Sequence, residues 1–393
     1  MNSPDLTLEP VAMQFRKFGK LDWNASVLGF GCMRLPTADG SAKGPNINEA
    51  EAARMIRHAL DRGVNYFDTA YIYHDGNSET VLGKALRGHR DRVKIATKSP
   101  LWLLQQEGDF DRILNEQLRK LQTDHIDFYL LHGMDKQRWS GVVPKFKLLE
   151  KSEAAIRDGR IRHLGFSFHD DYASFEKVIQ GYDRWTFCQI QYNYMDTENQ
   201  AGTKGLKLAA SKGLAVVIME PLLGGRLARP PAPIRQTIEN AEVKRTAADW
   251  ALQWLWNQPE VAVVLSGMSS LDQVNANLDS AARARSHSFL ATDRKVIADL
   301  QQKYRERAAI PCTKCGYCMP CPNGVNIPAN FEIYNEAFLH EDIPGARFKY
   351  QIFIPEAARA SVCVTCHDCE DACPQKIPIS DWMPKVHALL GVA

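Results

Sequence analysis

The sequence predicts an α/β fold in two parts: a closed (β/α)8 barrel, followed by a small, mainly helical domain rich in cysteine. Short apolar strands alternate with amphipathic helices up to residue 279, and eight such units favour a closed barrel. An open, doubly wound sheet would show a Gly-x-Gly-x-x-Gly turn after its first strand, and the sequence has none there. Eight of the ten cysteines follow residue 311, where the composition changes abruptly.

The predicted elements of the barrel follow one another in a regular order. Residues 15–31 predict a short capping hairpin that runs into the first strand. Helix 49–61 illustrates the signal, because Ala52, Met55 and Ile56 recur at helical spacing before Gly63 ends it. The eight strands are predicted at 27–31, 64–68, 93–98, 126–132, 161–167, 187–192, 214–219 and 261–265. The helices are predicted at 49–61, 79–86, 111–121, 146–158, 172–180, 203–211, 241–256 and 271–279.

A further helix at 293–307 precedes the cysteine-rich part, which contains short helical stretches at 329–339 and 381–390. Because the composition changes beyond Pro311, we predict a barrel domain over 1–308 and a second domain over 309–393.

The composition of the 393 residues is that of a globular protein, 45% hydrophobic and 24% charged. A net charge of +2 gives no reason to expect nucleic acid or an acidic membrane surface as a partner. The sequence contains no stretch of about 20 apolar residues, so we predict no membrane span. The first ten residues lack the basic and apolar regions of a signal peptide. Clustered cysteines persist as metal ligands in a reducing compartment, so we expect a cytoplasmic protein.

Four polar side chains fall at the carboxyl ends of neighbouring predicted strands: Asp68, Tyr73, Lys98 and His132. In a (β/α)8 barrel these strand ends form one face, which carries the active site. A tyrosine has a pKa near 10, and an adjacent ammonium stabilises tyrosinate, so that the phenol becomes a better acid. A carboxylate would keep the lysine charged, and an imidazole could bond a substrate oxygen. Each of these residues alone would more often be structural, but the set predicts acid–base chemistry.

The segment Phe67-Asp68-Thr69-Ala70-x-x-Tyr73, with Glu79 shortly after it, resembles the hallmark segment of the aldo/keto reductases. Further matches follow in the family's order over about residues 15–285: Thr97-Lys98, Leu130-Leu131-His132, Gln189-x-x-Tyr192-Asn193, Pro221-Leu222 and Gly267…Gln273…Asn277. The resemblance implies that Tyr73 is the general acid, with Lys98 and Asp68 tuning its pKa and His132 orienting the substrate. It also implies that a reduced nicotinamide dinucleotide lies across the barrel mouth.

The resemblance also implies a set of residues that contact the dinucleotide: Ser167, Gln189, Met219, Pro221, Leu222, Gly267, Gln273 and Asn277. Three positions depart from the family pattern. Phe168 stands where an asparagine is expected, and Met219 stands where an aromatic residue often stacks on the nicotinamide. Neutral residues around Gly267 and Gln273 replace the basic pair that commonly holds a 2′-phosphate. The expected cofactor is therefore NAD(P)H, with neither form favoured.

The cysteines form two runs. The first is Cys312-x2-Cys315-x2-Cys318-x2-Cys321-Pro322, and the second is Cys363-x2-Cys366-x2-Cys369-x3-Cys373-Pro374. The second run fits the bacterial ferredoxin pattern in full, and the first is one residue shorter. Paired Cys-x2-Cys spacings also suit zinc, but zinc does not require three successive x2 spacings followed by Cys-Pro. The 41 residues between the runs resemble the longer insertions of helical ferredoxin domains fused to dehydrogenases.

We therefore expect a ferredoxin-like domain with two [4Fe–4S] clusters. In two-cluster ferredoxins the fourth cysteine of each run ligates the other cluster. That pattern implies one cluster on Cys312, Cys315, Cys318 and Cys373, and a second on Cys363, Cys366, Cys369 and Cys321.

Three functions remain open from the sequence. The first is an NAD(P)H-dependent reductase of a small carbonyl compound, or alcohol dehydrogenase, with structural or sensory clusters. The second is an electron-transfer oxidoreductase whose clusters couple the barrel to a ferredoxin or flavoprotein partner. The third is an iron–sulfur sensor or binding module on a barrel scaffold. A nicotinamide transfers two electrons as hydride and a cluster transfers one, so the second function needs a group that splits the electron pair.

Overall fold

The computed structural model describes residues 12–41, 44–312 and 314–392. Contacts within the chain define two compact units. One comprises Met1–Ala228 with Arg245–Phe289, and the other comprises Arg229–Lys244 with Leu290–Ala393. The domain boundary at residue 308 stays a prediction, since the helix before it groups with the second unit.

All strands in the described residues belong to the first unit. They are β1 (Phe15–Lys17), β2 (Asn24–Ser26), β3 (Leu28–Gly31), β4 (Tyr66–Asp68), β5 (Lys94–Pro100), β6 (Ile126–Met134), β7 (Ile161–Phe168), β8 (Phe187–Gln191), β9 (Ala215–Met219) and β10 (Val261–Gly267). The helices are α1 (Glu49–Asp61), α2 (Ser78–Ala85), α3 (Asp109–Leu121), α4 (Val143–Lys145), α5 (Leu148–Arg157), α6 (Tyr172–Gln180), α7 (Gly202–Ser211), α8 (Ala232–Asn240), α9 (Ala247–Trp256), α10 (Leu271–Ala282), α11 (Ala291–Glu306), α12 (Ile327–Leu339), α13 (Ile343–Phe353), α14 (Asp368–Asp371) and α15 (Ile379–Leu390).

The eight strands β3 to β10 pair in parallel and close into a barrel in the order β10-β3-β4-β5-β6-β7-β8-β9. Closure occurs between β10 and β3, where Val264 is paired with Leu28 and Gly267 with Gly31. The predicted (β/α)8 barrel is confirmed. Because all eight strands run the same way, their carboxyl ends share one face, which we call the barrel mouth.

The hairpin of β1 and β2 closes the opposite end of the barrel. The buried ring of Phe18, which follows β1, lies 4.5 Å from the Phe128 ring and 5.8 Å from the Phe187 ring. These residues form an apolar plug that leaves the mouth as the end where polar side chains converge.

The second unit has its own apolar core, built by one face each of α12, α13 and α15. Phe331, Tyr350, Met383 and Val386 are fully buried in it. The Asn330 amide joins α12 to the segment before the second cysteine run, since it donates to the Ala358 carbonyl and accepts from the Ala360 N–H at 2.7 Å. Within the described ranges, no helix combines the length and apolar character needed to cross a membrane.

The clearest departures from the sequence-based expectation are in three helices, α8, α9 and α13. The helix predicted over 241–256 begins at Ala247, because the Thr246 side chain accepts from the Asp249 N–H and caps it. A separate helix, α8, precedes it, with proline in its first turn. Helix α13 occupies part of the long segment between the cysteine runs and was not predicted.

Candidate active site and cysteine cavities

A buried ion pair lies at the centre of the barrel mouth. The Lys98 ammonium on β5 donates to Asp68 Oδ1 at 2.6 Å and to the Thr69 carbonyl at 2.7 Å. Both charged side chains are at most 3% exposed. Burial lowers the pKa of Lys98, but Asp68 and Tyr73 outweigh it, so that the pKa lies above its ordinary value. Burial raises the pKa of Asp68, which the Lys98 charge opposes.

Tyr73 lies next to this pair, in a tight turn after β4. Its ring centre is 5.1 Å from the Lys98 ammonium. Burial raises the pKa of Tyr73, and the Lys98 charge acts in the opposite direction. The phenol is therefore protonated at neutral pH, with a cation placed to stabilise the tyrosinate that forms when the proton leaves.

The turn that carries Tyr73 is held by an unusual backbone and by a buried histidine. His74 and Asp75 both have φ of 53°, a conformation that is costly for residues other than glycine. The His74 ring offsets that cost, since it accepts from the Leu35 N–H at 3.2 Å and pairs with the Gly44 carbonyl at 2.7 Å. The sequence pattern did not identify His74, because its partners come from a different loop.

His132, near the end of β6, faces Tyr73 with 6.3 Å between ring centres. Burial and then the nearby Lys98 charge hold the pKa of His132 well below its usual range, so the imidazole is neutral. Its Nδ1 atom has no hydrogen-bond partner within the described residues. The Trp102 ring lies 4.9 Å from the imidazole and is 42% exposed, so an apolar surface borders the site.

A buried polar network connects β5 to helices α2 and α3. Glu79 is fully buried on α2 and accepts from the Thr97 hydroxyl at 2.6 Å and the Gln117 amide at 2.7 Å. The same Gln117 amide donates to the Lys98 carbonyl at 3.0 Å, which fixes the backbone from which the lysine projects. Sequence reasoning missed Gln117, although a polar residue on the apolar face of predicted helix 111–121 was the available signal.

The residues expected to contact a dinucleotide lie along the other side of the mouth. Ser167 and Gln189 are buried and paired with each other on β7 and β8, and Met219 ends β9. Gln189 Oε1 has no donor among the described residues. Pro221 and Leu222 follow β9, and Gly267 ends β10.

Two of the expected contacts on α10 have partners inside the protein. Gln273 is exposed, and its Oε1 accepts from the Ser269 N–H at 2.9 Å. Asn277 is buried and donates to the Ser266 hydroxyl at 2.9 Å. These two side chains stabilise the loop before α10, so they have a structural role that does not require a bound dinucleotide.

The eight clustered cysteines line two cavities in the second unit. Cys312, Cys315, Cys318 and Cys373 line one, and Cys321, Cys363, Cys366 and Cys369 line the other. Each set combines three cysteines of one run with the fourth of the other. This grouping is compatible with the expected cross-pairing, and the assignment of the cysteines as cluster ligands stays a prediction. Ile327 and Ile379 border both cavities, so the two share an apolar wall.

The chemistry of each cavity suits a metal cluster. Four thiols surrounded by apolar side chains are the donor set of a [4Fe–4S] cluster. Burial raises the pKa of Cys369 to about 11 and also raises the pKa of Cys312 and Cys318. Thiols buried in this way become thiolates when a cation compensates their charge, which bound iron would do.

Comparison with known proteins gives a consistent result. The family model described as "Aldo/keto reductase family" matches residues 27–297, and that described as "4Fe-4S dicluster domain" matches residues 311–377. The oxidoreductase YqkF of Bacillus subtilis is 26% identical over 306 residues, which cover 68% of this chain and 91% of that protein.

Solved structures are similar in fold. The aldo-keto reductase AKR11C1 from Bacillus halodurans, in its holo form, is 30% identical with a TM-score of 0.60, covering 73% of this chain and 96% of that one. An aldo-keto reductase from Klebsiella pneumoniae in complex with NADPH is 24% identical with a TM-score of 0.58, covering 77% of this chain and 97% of that one. The chain belongs to the aldo/keto reductase family, is an oxidoreductase of that family, and carries a 4Fe-4S dicluster domain.

Proposed function

We propose that the barrel catalyses NAD(P)H-dependent reduction of a small carbonyl compound, or the reverse oxidation of an alcohol, with Tyr73 as general acid or base. The observation that carries the proposal is the Lys98 ammonium, which is buried between the Asp68 carboxylate and the Tyr73 ring. A buried cation beside a protonated phenol favours proton transfer from that phenol to an oxygen that gains negative charge.

The residues divide the work as follows. The Tyr73 hydroxyl gives its proton to the carbonyl oxygen, and Lys98 stabilises the resulting tyrosinate. Asp68 keeps Lys98 charged and fixes its position through the 2.6 Å contact. The neutral His132 orients the carbonyl oxygen by a hydrogen bond and adds no second positive charge.

When bound, a reduced nicotinamide dinucleotide would supply the hydride for the carbonyl carbon. Two observations support its binding across the mouth. Gln189 Oε1 lacks a donor among the described residues, as expected of an acceptor for the nicotinamide amide, and buried Ser167 is paired with Gln189 on the neighbouring strand β7. The similar Klebsiella protein binds NADPH. We extend NAD(P)H to this chain on those grounds.

The test is Tyr73→Phe in the full chain. Loss of the hydroxyl should lower carbonyl reduction by about 10²- to 10⁴-fold, the usual contribution of general acid catalysis. Dinucleotide binding and iron content should not change. Tyr71→Phe is the matched control, because Tyr71 donates instead to Glu116 at 2.9 Å on the outside of the site. Full activity of Tyr73→Phe would refute the assignment.

We propose further that each cysteine cavity holds one [4Fe–4S] cluster. Each cavity is lined by four cysteines and by Ile327 and Ile379, and this shared donor set favours the same cofactor in both. Anaerobic preparations should contain about eight irons per chain.

A second candidate function is electron exchange with an external carrier such as a ferredoxin or flavoprotein. It is favoured by one observation: each cavity contains one exposed cysteine, Cys315 in one and Cys366 in the other. Exposed Tyr317 and Val364 lie beside them in sequence. A cluster edge near the surface would shorten the path to a redox partner.

A further inference from the structure

The Arg34 side chain extends from the end of β3 past the end of β10 to the loop after β9, at the barrel mouth. It follows β3, whose neighbour in the closed barrel is β10, and β10 in turn neighbours β9. The aliphatic part of Arg34 lies 3.3 Å from the point that a Cβ atom at Gly267 would occupy, at the end of β10. Its Nη2 atom lies 3.6 Å from the corresponding point at Gly224, which follows β9. The guanidinium is therefore held over the loop after β9.

No anionic side chain in the described part of the chain pairs with this guanidinium. The described residues give Arg34 neither a hydrogen bond nor an ion pair, although the side chain is half-buried. Arg138, on the other side of the mouth, differs, since its Nη1 donates to the Gly133 carbonyl and to Asp135 at 2.6 Å each. An arginine fork that is held in place and unpaired is suited to a bound phosphate.

The surface beneath the guanidinium is made of glycine backbone. Gly224 and Gly225 are exposed and have φ of 70° and 100°, a conformation that favours glycine. A side chain at Gly267 would meet the Arg34 stem, and nothing lies within 4 Å of the Cβ position at Gly225. The glycines therefore leave room for a ligand to approach the backbone closely below Arg34.

We propose that Arg34 binds the pyrophosphate of the nicotinamide dinucleotide. This inference rests on the proposed function. Gln189, the expected nicotinamide contact, lies in β8, and Gln273, where the family places 2′-phosphate contacts, lies beyond β10. The Arg34 Nη2 atom lies between them, over the loop after β9. The proposed phosphate contact thus comes from a cation after β3, the first strand of the barrel, whereas the residues after β10 around Gly267 and Gln273 are neutral.

The experiment measures the Kd of NADH and of NADPH for the full chain, prepared anaerobically, and for Arg34→Met and Arg34→Lys. Arg34→Met should weaken both dinucleotides by about tenfold to a hundredfold, the usual value of hydrogen bonds to a charged group. Arg34→Lys should lie between, because lysine keeps the charge but loses the fork. Arg54→Met is the control, since Arg54 pairs with Glu51 on the exposed face of α1.

The outcomes separate the alternatives. Unchanged binding of both dinucleotides by folded Arg34→Met and Arg34→Lys would overturn the proposal. Weakening confined to NADPH would also overturn it, because the contact would then be with the 2′-phosphate. If the unmodified chain binds neither dinucleotide, the proposed function itself fails, which is a distinct result from a bound dinucleotide that ignores Arg34.

Discussion

Lys98 carries the charge around which the other candidate catalytic side chains are arranged. Its ammonium is 1% exposed and contacts Asp68 directly. Taking both charges out of water costs more than an exposed pair would, so the pair is a weak source of stability. The pair instead holds a cation beside Tyr73. In return, neither Lys98 nor Asp68 can stay buried and charged at low cost without the other.

That dependence gives a stability prediction. Lys98→Met should lower the free energy of unfolding by about 3–5 kcal/mol, because Asp68 remains buried without its counter-ion. The double variant Asp68→Asn with Lys98→Met should recover much of the loss. Urea unfolding can be followed by tryptophan fluorescence, since every tryptophan except Trp382 lies in the first unit.

A matched exposed pair provides the control. Lys84 contacts Glu49 at 2.9 Å, and both side chains are about half exposed. Lys84→Met should therefore cost at most about 1 kcal/mol. Equal losses from Lys98→Met and Lys84→Met, or a double variant no more stable than Lys98→Met, would contradict the interpretation.

The sequence predicts some residues of the candidate site and not others. Asp68, Lys98 and His132 were predicted because a short apolar strand leads directly into each, and parallel strands bring their ends together. Gln117 and Arg34 were not. Gln117 donates to Glu79 on α2 and to the Lys98 carbonyl on β5, and these contacts depend on how α3 packs against the barrel. Arg34 lies beside Gly267 at the end of β10 only because the barrel closes between β3 and β10. Pairing between first and last strands has no local signal.

Elements were predictable where periodicity is strong. Helix α1 was predicted at the bounds it has, because its apolar positions repeat cleanly and Asn48 caps it. Helices α8 and α13 begin with proline-containing turns inside segments that otherwise resemble loops. Proline in the first helical turn starts a helix and elsewhere breaks one, so such segments are ambiguous without the packing around them.

The two cysteine runs form a single structural element, and substitutions should reveal it. Cys321→Ser should remove the cluster expected on Cys363, Cys366 and Cys369, because Cys321 lines their cavity. Iron should fall from about eight to about four per chain. The electron paramagnetic resonance spectrum of the reduced protein should match that of Cys363→Ser. Cys373→Ser should instead match Cys312→Ser, since those two share the other cavity.

Cys188→Ala is the control for iron content, since Cys188 is buried in the barrel core. Cross-pairing would be contradicted if Cys321→Ser gave the spectrum of Cys312→Ser. Partial loss of the second cluster in either variant would be consistent with the wall of Ile327 and Ile379 that both cavities share.

At the scale of the whole molecule, the two units contain chemistry of different kinds. The side chains at the barrel mouth suit transfer of an electron pair as hydride, together with a proton. The cysteine cavities suit clusters that accept one electron at a time. The carbonyl reduction proposed for the barrel would therefore need no iron, whereas the second unit packs its core directly against the cysteines.

Removing iron should show whether the activity of the barrel depends on the clusters of the second unit. After oxidation and chelation, circular dichroism should show loss of helix, because α12 and α15 line the emptied cysteine cavities and α13 packs in the same core. Carbonyl reduction by NADPH per chain should persist, and tryptophan fluorescence of the barrel should not change. The electron-transfer function predicts the opposite: activity would fall in proportion to the iron lost and return when the clusters are rebuilt. In that case NADPH alone would also bleach the cluster absorbance of the intact protein.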